Sequence, residues 1–252
     1  MWIEGRLKHK AYFENGTQLM QILHSRFTSL LNKVCTFESV RDQLRTVLNR
    51  EKPLQYRYGR NYTDIDELVR DFTSTKSYAV SRLQCQKCSF TFDDRFAYLQ
   101  DYTAVGWSSK DRENLQQIAS VQRYLDYKIN KIGEKTNKIC PKCRFSLYKT
   151  QYINELLSLL IFALAPWIDI NKRLTFDVSH SSKEYILKGI IYSNNHHFTA
   201  RLIDENLNVW YHDGQITRSL CRKEQFLMQV DDILPLKRFD RYIAIMAFYA
   251  AE

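Results

Sequence analysis

Apolar residues recur at three- and four-residue steps through the first third of the chain. Leu19, Ile22, Leu23, Phe27, Leu30 and Leu31 form one stripe, the spacing that lines one face of a buried helix. Val40, Leu44 and Leu48 predict a second helix over 37–49, ending before Pro53. Ile65, Leu68, Val69 and Phe72 predict a short third helix, with Asn61 or Thr63 placed to cap its first amides. From about Tyr78 the pattern turns extended. Segments 78–83, 185–192, 198–203, 209–212 and 242–249 are rich in β-branched and aromatic residues, and polar breaks at 193–196 and 206–208 separate the middle ones as hairpin turns do. The longest apolar stretch, 156–168, has 13 residues, short of the roughly 20 that span a bilayer. It predicts a buried strand or core helix and no membrane partner. No internal repeat stands out. A helical front and an antiparallel back half give an α+β fold class.

Between these halves sit two cysteine hooks, Cys85-Gln86-Lys87-Cys88 and Cys140-Pro141-Lys142-Cys143, with 51 residues between them. A Cys-x-x-Cys turn offers two thiolates to one ion, so two such turns make a closed tetrahedral zinc site. Lys87, Pro141 and Lys142 suit exposed knuckles better than core packing. The remaining thiols, Cys35 and Cys221, and the absence of an apolar run in residues 1–6 predict a reducing compartment, cytosol or nucleus.

Only 7 Gly and 4 Pro occur in 252 residues, which excludes collagen-like and disordered classes. The net charge of +9 is compatible with an acidic or nucleic-acid partner. Its sharpest local expression is Lys128, Lys131, Lys135, Lys138 and Lys142, read first as a solvated face and second as an RNA contact.

A general base needs an imidazole oriented by a nearby carboxylate. His197, at the start of one extended segment, and Asp213, just after the next, meet at one end of a hairpin if the two segments pair. On spacing alone, an ordinary surface histidine and a turn aspartate explain the same residues.

Several segments together resemble the ubiquitin-specific proteases. His196-His197-Phe198-Thr199-Ala200 is similar to their histidine box, and 209–214 to the aromatic strand that delivers their third triad member. The hooks resemble the zinc ribbon of their fingers, 242–249 their last palm strand, and Thr63-Asp64-Ile65-Asp66-Glu67-Leu68 a box whose acidic residues contact the ubiquitin tail. The resemblance covers nearly the whole chain in order. It implies a papain-like cysteine peptidase fold as a single domain, with a helical thumb at 1–77, zinc-ribbon fingers at 78–165 and an antiparallel palm at 166–252. It implies His197 as base and acid, Asp213 as its orienter, Asp64 and Glu67 on a ubiquitin tail, and ubiquitin or a ubiquitin-like protein as partner.

The nucleophile box departs from the family. In the best register, Tyr12 and Gln18 keep their family types, but Ala11 stands where the cysteine belongs. A methyl group has no lone pair and cannot form a thioester. Arg6 replaces an oxyanion-hole asparagine, His9 and Lys10 replace the residues before the nucleophile, and Glu14 adds a negative charge beside a developing oxyanion. Four changes favour natural loss of activity over a single cysteine-to-alanine substitution made for structure work. The chain then reads as a pseudoenzyme that binds a ubiquitin-like protein or, alternatively, as an RNA- or protein-binding scaffold in a larger complex.

Overall fold

The computed structural model describes residues 9–252 apart from 59–63, 74–76, 101, 115, 130–132, 154–155, 179–180, 195–196, 219 and 230–233. Two compact units divide the chain, Met1–Thr75 and Lys76–Glu252.

The first unit is helical: α1 (Lys10–Glu14), α2 (Gln18–Leu31), α3 (Phe37–Glu51) and α4 (Ile65–Phe72). Each of the longer helices starts where a short polar side chain takes an otherwise unpaired amide. Thr17 accepts from the Met20 amide, Thr36 from that of Ser39, and Asp64 from that of Asp66. Losing one such cap costs about 1 kcal/mol. The cap of α4 is thus Asp64; Asn61 and Thr63, expected there, lie outside the described residues. Leu19, Val47, Leu48 and Tyr56 form the core, packed by Ile22, Leu44, Leu68 and Phe72. Leu31, expected in the α2 stripe, is exposed because it falls on the helix's last turn.

The second unit holds two sheets. In the smaller, β1 (Ser77–Cys85), β2 (Thr91–Gln100), β4 (Glu134–Ile139) and β5 (Ser146–Ile153) run in the order β2-β1-β5-β4. The larger contains β3 (Tyr102–Val105), β6 (Leu159–Leu164), β7 (Arg173–Val178), β8 (Ser181–Asn194), β9 (His197–Ile203), β10 (Asn208–His212), β11 (Arg222–Phe226), β12 (Arg238–Phe239) and β13 (Tyr242–Ala251). Its path is β11-β10-β9-β8-β13-β6-β3, with β7 on β8 and β12 on β13. The 78–165 range expected as fingers is therefore shared: β3 and β6 belong to the larger sheet. Between β3 and β4 lie α5 (Ser109–Glu113) and α6 (Val121–Ile129).

The apolar 156–168 stretch resolves as a strand. All six residues of β6 are buried, as a strand covered on both faces requires, and each large apolar side chain there stabilises the fold by roughly 1.5–3 kcal/mol. Tyrosines fill the core beside it without stranding a hydroxyl. Tyr185 donates to the Leu157 carbonyl at 2.6 Å, Tyr192 to Leu236 at 2.8 Å and Tyr249 to Asn171 at 2.8 Å.

Candidate functional site

Strand parity brings His197 and Asp213 together. β9 and β10 pair antiparallel, with Val209 opposite Ile203 and His212 opposite Ala200. Thr199, Arg201 and Ile203 face inward from β9, and Val209 and Tyr211 from β10. His197 and Asp213 extend those two alternating series to the same end and the same face. At the far end Asp204 closes the turn, accepting from the Asn208 amide at 2.8 Å and the Trp210 indole at 2.9 Å.

His197 Nε2 lies 3.0 Å from Asp213 Oδ2. Asp213 has no solvent exposure, yet its carboxylate is fully satisfied. Oδ1 accepts from the Gln215 and Ile216 amides at 2.8 and 3.2 Å, and Oδ2 from the Tyr211 hydroxyl at 3.2 Å. Burial opposes its charge, but His197, the two amides and Tyr211 outweigh it and hold the pKa down at about 2. Burial and the adjacent Asp213 push the Tyr211 phenol up to about 12, so it remains a donor at neutral pH. A carboxylate only accepts, so neutral His197 carries its proton on Nε2 and presents Nδ1 as the basic nitrogen. The Tyr242 ring meets the imidazole edge-on at 5.7 Å. The geometry is that of an imidazole held in one orientation by a buried carboxylate. His196 lies outside the described residues.

The second cluster is sulfur. The ligand atoms of Cys85, Cys88, Cys140 and Cys143 all lie within 4.8 Å of one another. Cys85 and Cys143 sulfurs are 3.3 Å apart, and those of Cys88 and Cys140 3.6 Å. These gaps are too long for disulfides and near the ~3.8 Å that a tetrahedral ion with ~2.3 Å metal–sulfur bonds demands. Each hook closes identically: the Cys85 amide donates to the Phe90 carbonyl at 3.0 Å, and the Cys140 amide to that of Phe145 at 2.7 Å. Burial works against a Cys85 thiolate, but the Lys87 amide, the Cys143 thiol and the Cys88 amide bring its pKa down to about 7. For Cys143 the Phe145 amide favours the thiolate, but burial and the three other sulfurs push the pKa up to about 12. Four sulfurs this close ionise together only around a cation. The donor set fits a metal ion such as zinc, with every coordination position filled by protein. Lys87, Pro141 and Lys142 are exposed, as the knuckle reading expects.

Within the helical unit, Ala11 is exposed on the short α1 and carries no nucleophile. Glu14 on the same turn pairs with Lys10 at 3.5 Å and His24 at 3.1 Å. Arg6 lies outside the described residues. Asp64 and Glu67 are both exposed. Asp64 spends one oxygen on its cap, and Glu67 accepts from the Gln55 amide group at 2.7 Å.

No protein-family model matches the sequence, and no curated protein does. Solved structures do match. A chain of the SAGA DUB module Ubp8/Sgf11/Sus1/Sgf73 bound to monoubiquitin superposes with a TM-score of 0.59 at 14% identity, covering 98% of this chain and 63% of that one. This chain has a ubiquitin-specific-protease-like fold. It spans 63% of the length of the matched chain. The same module bound to ubiquitin aldehyde gives a TM-score of 0.46 at 13% identity, covering 93% and 54%. The yeast module with an Sgf73 variant gives 0.46 at 14%, covering 92% and 53%.

On this protease-like fold, several site features escaped the sequence reading. The hooks are a short repeat, Cys-x-Lys-Cys-x-Phe, visible once Phe90 and Phe145 are aligned. Tyr211 touches Asp213, and residue parity alone signals that. Arg201 is buried, bonded to Glu224 at 2.7 Å and lying over the Phe239 ring at 4.5 Å, while Phe239 stacks on Tyr211 at 4.5 Å. Nothing local connects Arg201 to Glu224. Phe198 is 39% exposed because it has the outward parity of β9. Lys128, expected on a solvated face, is buried and sits 2.9 Å from Asp111. Lys135, Lys138 and Lys142 are exposed as expected, and Lys131 lies outside the described residues.

Proposed function

We propose that this chain is a catalytically silent ubiquitin-specific-protease-like domain that binds ubiquitin or a ubiquitin-like protein, with zinc clamping Cys85, Cys88, Cys140 and Cys143. The observation that carries this reading is a fold shared over 98% of the chain with a module bound to monoubiquitin. Alanine at residue 11 removes the thiol that covalent catalysis needs. The His197–Asp213 pair would serve as base and orienter in an active relative, which would hydrolyse the isopeptide bond at ubiquitin's C-terminus. Here it has no thiol at residue 11 to deprotonate. Exposed Asp64 and Glu67 are suited to a basic tail through charge-assisted hydrogen bonds. The matched module is a multiprotein complex, and membership of a comparable assembly belongs to the same reading.

The test is titration of isotope-labelled ubiquitin with the protein, followed by NMR. Shifts along ubiquitin's hydrophobic patch and C-terminal tail are expected; no shifts at high micromolar protein would refute receptor function. Turnover of a fluorogenic ubiquitin substrate would refute catalytic silence. A second reading, an RNA-binding scaffold, is favoured by one feature: exposed Lys135, Lys138 and Lys142 lie along the same segment as exposed Ile139 and Phe145. Salt-dependent RNA retention without ubiquitin shifts would select it. No helix among the described residues is long and apolar enough to cross a membrane.

A further inference from the structure

α3 carries Arg41 and Arg45 four residues apart, so both project from one face of the helix. Like charges at that spacing weaken a helix rather than support it. Arg57, on the segment that follows α3, lines the same open groove of about 320 Å3. The floor is apolar: Leu48 and Tyr56, both buried, with Leu68 beside them. Tyr58 stands at the rim, its hydroxyl donating to Thr46 at 3.3 Å.

Accounting for the nearby carboxylates shows what is left over. Asp42 is taken by Arg41 at 2.8 Å. Asp71 is taken by Lys52 at 2.5 Å and the Tyr56 hydroxyl at 2.7 Å. Glu67 and Asp64 also act on the Tyr56 phenol; Glu67 accepts from Gln55 at 2.7 Å and Asp64 from the Asp66 amide at 2.8 Å. Arg45 and Arg57 have no ion-pair partner among the described residues. Two guanidinium groups without a direct ion pair among the described residues therefore border an apolar floor. A guanidinium fork matches a carboxylate in bidentate geometry, and the apolar floor rewards an apolar side chain seated between such contacts.

We propose that this groove docks an acidic peptide segment of a partner protein, seating one apolar side chain on Leu48 and Leu68 and carboxylates against Arg45 and Arg57. A bare phosphate fits less well, because the charged side chains are exposed and the floor's hydroxyl, that of Tyr56, is already spent on Asp71. The groove adjoins the acidic pair Asp64 and Glu67 assigned to a basic ubiquitin tail, since both act on the Tyr56 phenol, but its own arginines call for a ligand of the opposite charge.

The test uses the full chain and a fluorescein-labelled peptide in which glutamates and aspartates flank a central Leu-Phe pair. Fluorescence anisotropy should show saturable binding that weakens several-fold between about 50 and about 300 mM salt. The double variant Arg45→Glu/Arg57→Glu should weaken it about tenfold or more, with unchanged circular dichroism, since both side chains are exposed. Arg45→Gln/Arg57→Gln should fall between. A probe with serines in place of Leu-Phe should bind about fivefold more weakly. Absence of saturation, binding indifferent to both double variants, or equal binding of the serine probe would overturn the proposal. So would a single-stranded oligonucleotide that outcompetes the peptide through the same two arginines.

Discussion

Replacing Asp213 with asparagine removes a charge while keeping shape, and its cost can be worked from the bonds that converge there. The carboxylate's pKa falls from 3.8 to about 2, a difference worth about 2 kcal/mol at 1.36 kcal/mol per unit. An independent route gives the same scale, since hydrogen bonds to a buried charge contribute about 1.5–3 kcal/mol. In the variant, the side-chain oxygen can keep the Gln215 and Ile216 amides, but an NH2 group then faces His197 Nε2 and the Tyr211 hydroxyl. The sign follows from the depressed pKa. The stabilisation is fully present above about pH 4 and is lost as pH falls through about 2. Acid also protonates the cysteine cluster in both proteins, so the quantity to read is the difference between wild type and variant in urea unfolding, pH by pH. That difference should be about 2 kcal/mol at pH 7 and shrink below about pH 4. Nitrogen NMR of His197 should show the proton on Nε2 in the wild type and on Nδ1 in Asp213→Asn. A difference under about 0.5 kcal/mol at pH 7, or an unchanged tautomer, would refute the four-donor account.

Reduced protein should carry about one equivalent of zinc by elemental analysis, and Cys140→Ser should lose it; less than about half an equivalent in the wild type would sink the zinc assignment. Asp111→Ala takes away the carboxylate 2.9 Å from the buried Lys128 ammonium, leaving it over the Tyr124 and Tyr127 rings, and should cost about 3–5 kcal/mol in chemical unfolding, while Asp111→Leu with Lys128→Met recovers most of it. Equal stability of the single and double variants would exclude a buried pair. Gly106 has φ +82°, and an added Cβ would lie 2.8 Å from the Trp167 ring and 2.9 Å from Ala165, so Gly106→Ala should lower stability by about 1–3 kcal/mol. An unshifted melting curve would contradict that geometry.

Where burial is one-sided and periodic, the sequence spells out structure. α4 begins and ends where its four apolar positions do, and β9, β10 and β13 match their apolar runs. Polar edge strands stay silent. β4 (Glu134–Ile139) and β11 (Arg222–Phe226) are mostly exposed, so no alternation marks them, and β4 passes for a lysine-rich loop. Lys128 is the opposite case. Composition places it on the surface, whereas its spacing from Val121, Tyr124 and Leu125 places it on the buried stripe of α6. The stripe wins because Asp111 supplies the compensating charge. In the site, strand parity predicts the meeting of His197, Tyr211 and Asp213. The amides of Gln215 and Ile216 depend on how the chain turns after Asp213, and the Arg201–Glu224 bond joins strands that are not sequence neighbours. Neither leaves a local signature.

The twin knuckles have a temporal consequence for a chain made from one end. Cys85 and Cys88 leave the ribosome before Cys140 and Cys143, and between them the chain must make β2, β3, α5, α6 and β4, part of which joins a different sheet. At roughly 5–20 residues per second the first pair waits about 3–11 s for the second. Until then it can offer a metal only two of its four bonds. Scarce metal or a stalled ribosome would therefore act on this nascent protein at one moment, with two thiols presented and their partners not yet synthesised.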